Sequence, residues 1–130
     1  TIRAASDFAK SLKDGDIVLL HGDLGMGKSV FSRAIIRTLA QNHDLDVPSP
    51  TFTLVQTYAT PQGEVFHFDL YRLKDPEELY EIGWEDALSS GIVLVEWPGR
   101  LGYLRPPTPI SVSISNGPTA TSRIIHIERQ

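Results

Sequence analysis

The segment Gly22-Asp23-Leu24-Gly25-Met26-Gly27-Lys28-Ser29 decides how the rest of the chain reads. It fits the pattern G-x-x-x-x-G-K-[ST] in full, with an apolar run before it at 17–21 and a helix-period stretch after it at 28–40. The chemistry explains each residue type. Backbone N–H groups can wrap a phosphate chain only where side chains keep clear, so Gly22, Gly25 and Gly27 open the loop, and Asp23, Leu24 and Met26 contribute through their backbone. The helix that follows aims its N-terminal N–H groups and positive dipole end at the same place. Lys28 adds a mobile cation for β- and γ-phosphates, and the Ser29 hydroxyl is placed to ligate Mg²⁺.

Outward from this segment, 17–21 reads as a buried strand, and 28–40 as a helix burying Phe31, Ala34, Ile35 and Leu39. Toward the N-terminus, Ile2, Ala5, Phe8, Ala9 and Leu12 share one face of a short helix over 2–12, closed by Asp14-Gly15-Asp16. Downstream, Pro48-Ser49-Pro50 marks a fixed loop. Residues 51–58 and 64–70 alternate as strands joined by a turn at 61–63. One or two helical turns are expected over 76–82 and a short buried strand over 92–96. Pro106, Pro107 and Pro109 then precede two late strands, near 110–115 and 122–128. A phosphate-loop strand needs parallel neighbours, whereas the 51–70 pair looks antiparallel. The expected fold is therefore α/β, a three-layer P-loop NTPase-like domain with a mixed parallel and antiparallel sheet, spanning 1–130 as one domain.

A phosphate loop needs an acidic partner for Mg²⁺ and for the attacking water, at the carboxyl end of a neighbouring apolar strand. Two residues fit. Glu96 closes Ile92-Val93-Leu94-Val95, and Asp69 closes Val65-Phe66-His67-Phe68. Strand alternation puts His67 and Asp69 on one face and Phe66, Phe68 and Leu70 on the other. Each carboxylate also has the plain reading of a solvated strand end, and the phosphate loop tips the balance toward function. Thr51 and Thr53 would point the same way in a strand and face a γ-phosphate, but β-propensity alone explains two threonines there at least as well.

Composition narrows the classes further. The 130 residues are 41% hydrophobic and 22% charged, ordinary for one soluble domain. No apolar run is long enough to span a bilayer, and Asp7 and Lys10 interrupt the apolar residues at the start, unlike a secretory signal. There is no cysteine, which excludes disulfides and thiolate metal sites and suits a reducing cytoplasm. A net charge of −4 makes direct binding of DNA or RNA unfavourable, so RNA would be met only through a basic partner. The four histidines lack metal-ligand spacing and read as structural, and Trp84 and Trp97 read as packing residues. No Asn-Lys-x-Asp segment is present to recognise guanine, which favours ATP.

Taken together, these segments resemble the TsaE family of ATPases. The resemblance rests on the phosphate loop at 22–29, Ser-Pro-Thr-Phe-Thr-Leu-Val at 49–55 with Tyr58, His-Phe-Asp-Leu-Tyr-Arg-Leu at 67–73 and Val-Glu-Trp-Pro at 95–98. It covers about 17–98, and the last two segments are far more specific than the loop. Ser29 stands where the family commonly has threonine, and either hydroxyl can ligate Mg²⁺. The resemblance implies a weak cytoplasmic ATPase that binds ATP or ADP with Mg²⁺. It would work with TsaD and TsaB, which transfer threonylcarbamoyl to the adenosine beside the anticodon of certain tRNAs. It implies that Lys28 holds phosphates, Ser29 and Glu96 serve Mg²⁺ and Asp69 positions or activates water. Thr51 and Thr53 would belong to a mobile switch, and Arg72 would bridge to phosphate or partner.

Two other classes compete. In an ATP-dependent docking module, nucleotide changes shape and partner affinity while hydrolysis is incidental. A small-molecule P-loop kinase needs an acceptor pocket and an arginine-bearing lid, and the proline-rich segment directly after Glu96, up to Pro109, holds only Arg100 and Arg105.

Overall fold

The computed structural model describes residues 2–22, 27–50, 53–119 and 122–129. In chain order these form α1 (Ile2–Ala9), β1 (Ile17–His21), α2 (Lys28–Ala40), β2 (Val55–Thr60) and β3 (Gly63–Asp69). Then come α3 (Glu78–Glu81), α4 (Trp84–Ser90), β4 (Gly91–Glu96), a 3₁₀ stretch (Pro98–Leu104), β5 (Ile110–Asn116) and β6 (Arg123–Arg129).

The six strands make one sheet in the order β2-β3-β4-β1-β5-β6. Its four central strands, β3, β4, β1 and β5, run parallel, and β2 and β6 pair antiparallel at the two edges. The sheet is therefore mixed, as expected. The apolar run of β4 is buried at every position from Gly91 to Glu96, as a central strand covered on both faces must be.

Alternation along β1 and β4 sorts the core into two halves. Val18, Leu20, Ile92 and Leu94 face α1 and α2, where they meet Phe8, Phe31, Ile35 and Leu39. Leu19, Val93 and Val95 face the other way, toward Leu79 of α3, Trp84 and Ala87 of α4, and Leu101 of the 3₁₀ stretch. Helices thus cover both faces, giving three layers. Fully burying a side chain of Leu or Phe size contributes roughly 1.5–3 kcal/mol, and both halves contain several.

Most boundaries shift by a residue or two from the sequence reading, and two elements shift further. The first helix stops at Ala9, and Leu12 is buried beyond it, in the loop. The strand expected over 51–58 starts only at Val55 and runs to Thr60. Before it, the Leu54 amide donates to the Pro50 carbonyl at 2.6 Å and Leu54 adopts a left-handed φ of 68°, so the chain turns where strand alternation was expected. Sequence periodicity also did not reveal α4 or the 3₁₀ stretch. α4 buries only Trp84 and Ala87, spaced i, i+3, too few positions to make a visible stripe.

Candidate functional site

β1 delivers the chain to the carboxyl edge of the sheet, and α2 begins there at Lys28. Gly27 caps the helix at φ 96°, ψ 16°, a left-handed conformation that a side chain would strain, with open space where its Cβ would stand. The Phe31 amide donates to the Gly27 carbonyl at 2.9 Å, closing the first helical turn. Among the described residues no side chain hydrogen-bonds this end as a cap, and the first turn holds no acidic residue of its own, so the helix brings no negative charge to the dipole's positive end. β1 and β4 are paired, and the segments leaving them depart to opposite faces of the sheet, α2 to one and the 3₁₀ stretch to the other. That divergence opens a crevice at the carboxyl ends of the strands, where open α/β sheets take their ligands. Leu20, His21, Gly22, Lys28, Trp97, Pro98 and Gly99 line it.

Lys28 is buried, and its Nζ lies 3.3 Å from the centroid of the Trp97 ring. Trp97 itself has a left-handed backbone, φ 60°, immediately after β4. A bulky residue in that region is uncommon, and it turns the chain sharply enough to bring the indole back over the crevice. The ring also packs on Tyr71 at 5.0 Å. Sequence reading took Trp97 for a packing residue. It packs, and it also supports the cation.

Glu96 is the meeting point of the site. It ends β4, 2% exposed, with its side chain on the α2 face. His67 Nε2 donates to Oε2 at 2.6 Å, the Ser32 hydroxyl lies 3.4 Å from Oε2, and the Ser29 hydroxyl lies 3.5 Å from Oε1. The two serine contacts are long for O–H···O bonds, whereas the histidine contact is short and charge-assisted. Parallel register sets Asp69 of β3 directly beside Glu96 of β4. Asp69 is buried, and its Oδ1 accepts the Tyr71 amide at 3.0 Å, which fixes the turn that leaves β3.

Ser29, Glu96 and Asp69 are thus gathered at one end of the sheet, beside Lys28 and Gly27. Gly22 sits on the crevice wall. Thr53 is exposed in the turn before β2, and its Oγ1 accepts from Gln56 Nε2 at 3.3 Å. Thr53 lies before the start of β2 at Val55, outside the strand expected to hold it. Arg72 is exposed just beyond β3. Asp23, Leu24, Gly25, Met26 and Thr51 lie outside the described residues.

Two members of the site were missed in the sequence. Ser32 interrupts the buried stripe of α2 one turn after Lys28 and Ser29, a polar residue where the helical period calls for an apolar one. His67 was placed on the face of Asp69, but its bond to a residue 29 positions away carries no local signal. His21, at the end of β1, is half-buried. Desolvation holds its imidazole below the usual histidine range, with the positive charges of Arg105 and Lys28 acting in the same direction.

The fold and the site define an α/β protein with a parallel-cored open sheet. Its crevice brings an uncapped helix N-terminus, a buried lysine and a hydroxyl–carboxylate pair together at the carboxyl ends of the strands. The family model described as threonylcarbamoyl adenosine biosynthesis protein TsaE matches residues 1–125, and the chain belongs to the TsaE family. It is 46% identical over 107 residues to the tRNA threonylcarbamoyladenosine biosynthesis protein TsaE of Rickettsia prowazekii, covering 82% of this chain and 74% of that one. It is 37% identical over 100 residues to the protein of the same name from Aquifex aeolicus, covering 77% and 71%. Among solved structures, YdiB of Bacillus subtilis shares the fold with a TM-score of 0.69 at 24% identity, covering 96% of this chain and 78% of that one.

Proposed function

We propose that this chain binds and hydrolyses ATP with Mg²⁺ in the cytoplasm. We further propose that it serves tRNA threonylcarbamoyladenosine biosynthesis together with TsaD and TsaB, meeting tRNA only through them. The observation that carries the reading is the meeting of the Ser29 hydroxyl and a Glu96 carboxylate oxygen, 3.5 Å apart, beside Lys28 and the uncapped start of α2.

The donor set suits the metal. The Ser29 hydroxyl and Glu96 Oε1, 3.5 Å apart, are hard oxygen donors near enough to be shared by one small cation. Among the described residues there is no group of three or more His, Cys, Asp or Glu able to cage a metal. A site of one hydroxyl and one carboxylate matches a cation that keeps water and phosphate in its shell. Ser29 and Glu96 are the residues that would hold Mg²⁺, which would supply positive charge against that of the phosphates.

The protein's own groups divide the work. Gly27 and the first turn of α2 offer N–H donors to phosphate, and Lys28 offers a charge. Ser29 and Glu96 would hold the cation. Asp69, one strand over, would accept a hydrogen bond from water and orient it. No helix among the described residues is long and apolar enough to cross a membrane, and the net charge of −4 opposes direct tRNA binding.

The test joins two measurements on the purified chain. Calorimetric titration with ATP should show binding that EDTA weakens, and slow hydrolysis should accelerate on adding TsaD and TsaB. Binding of ATP that is indifferent to Mg²⁺ would remove the metal reading. A rate unchanged by the two proteins, with no association in ATP, ADP or nucleotide-free buffer, would remove the partner reading.

A further inference from the structure

The His67–Glu96 contact is a short side-chain hydrogen bond, 2.6 Å, and the division of roles among phosphate, metal and water groups does not use it. Both residues are buried, at 2% exposure each. Glu96 is a carboxylate on a three-torsion arm. Without a restraint, its oxygens would be free to rotate between Ser29, Ser32 and the neighbouring strand. His67 sits across the β3–β4 pair, two residues out of register from Glu96 and so on the same face of the sheet, with Leu94 as its direct partner. From there its Nε2 reaches Oε2 at 2.6 Å, and Ser32 flanks the same oxygen at 3.4 Å. Oε1 is left turned toward Ser29. A carboxylate can only accept, so the imidazole carries its proton on Nε2. The other ring nitrogen, Nδ1, is buried and meets no hydrogen-bond partner among the described residues. The ring is therefore committed to Glu96 through one nitrogen.

We infer that His67 is a positioning residue: it locks one oxygen of Glu96 so that the other is presented to the cation beside Ser29. The inference rests on the nucleotide–metal reading above. It assigns to His67 the task that carboxylates and carbonyls perform behind many metal ligands, where loss of the supporting group typically lowers metal affinity about 10- to 100-fold. His67 acts through Glu96 and does not itself touch metal or nucleotide. Its removal should therefore weaken the cation and leave metal-free nucleotide binding alone.

The experiment measures Mn²⁺ affinity by electron paramagnetic resonance titration of the protein saturated with ADP, and ADP affinity in EDTA by calorimetry. His67→Leu should weaken Mn²⁺ about tenfold or more and leave ADP binding in EDTA unchanged. His67→Gln, whose amide can donate from nearly the same place, should restore most of the Mn²⁺ affinity. In a Glu96→Gln background, His67→Leu should cause no further loss, since the group it positions is already gone. Thermal melts check that the variants are folded. Should His67→Leu fail to fold, His67→Asn, too short to reach Oε2, takes its place with the same expectation. Wild-type Mn²⁺ affinity in a folded His67→Leu or His67→Asn protein overturns the inference, and so does a loss that simply adds to that of Glu96→Gln. If the wild-type protein with ADP binds Mn²⁺ no better than ADP alone, the metal reading itself fails and the role of His67 falls with it.

Discussion

Replacing Lys28 by methionine keeps a straight apolar stem in a buried position and removes only the ammonium. A charged hydrogen bond to phosphate is worth about 1.5–3 kcal/mol. The fold, however, already gives the ammonium a partner, the Trp97 ring at 3.3 Å. That cation–π contact is worth about 1 kcal/mol, in the middle of the range for partly desolvated pairs, and is given up if the ammonium moves to phosphate. The difference leaves a net loss of about 0.5–2 kcal/mol, which corresponds to a roughly two- to thirty-fold weaker affinity for ATP. Folding stability should change by less, under about 1.5 kcal/mol for a volume-conserving swap, because the lost ring contact is offset by the charge that no longer has to be buried. Calorimetric titration of Lys28→Met and wild type with ATP in Mg²⁺ reads the first quantity, and urea denaturation reads the second. ATP affinity equal to wild type in a folded Lys28→Met protein would refute the assignment of Lys28 to the phosphates.

Three further outcomes are expected. His21 takes up its proton less readily folded than unfolded, so in that interval the unfolded chain binds more protons and stability rises with pH. The melting temperature should therefore fall as pH drops below the ordinary histidine value of 6.5, and His21→Gln should flatten that dependence; an equal slope in both proteins contradicts the burial argument. At Gly91 an added Cβ would stand 2.5 Å from the Glu64 carbonyl and 2.8 Å from the Phe66 ring, so Gly91→Ala should destabilise by about 1–3 kcal/mol in denaturant titration despite the small entropic gain from losing a glycine. Asp69→Asn keeps the oxygen that accepts the Tyr71 amide, so it should lower ATP hydrolysis by about 10²-fold with ATP binding largely spared, while Glu96→Gln should chiefly raise the Mg²⁺ requirement. Normal hydrolysis in both variants removes the two acids from the site.

Much of this protein was legible one segment at a time. The apolar run at β1, the glycine-rich segment after it and the helical period of α2 are signals spread over a few neighbouring residues, and α2 runs over the expected 28–40. The two acids were found the same way, as the last residues of apolar strands. Local reading failed where the signal was short or broken. Seven residues of α4 show too little stripe, and the turn at Leu54 ends an apparent alternation that threonine's β-propensity had suggested.

What the linear sequence determined, then, was most of the elements and the two acids that end β3 and β4, because helix and strand periods depend on contacts within a turn or two of chain. Tertiary structure alone decided that β3 lies beside β4 in the register that sets Asp69 against Glu96. It also decided that His67 and Ser32 converge on one carboxylate oxygen and that Lys28 rests on Trp97. These contacts join residues 29 and 64 positions apart in the Glu96 cluster. Their geometry follows from how two faces of one sheet are buried at once, a condition that no short window of sequence contains.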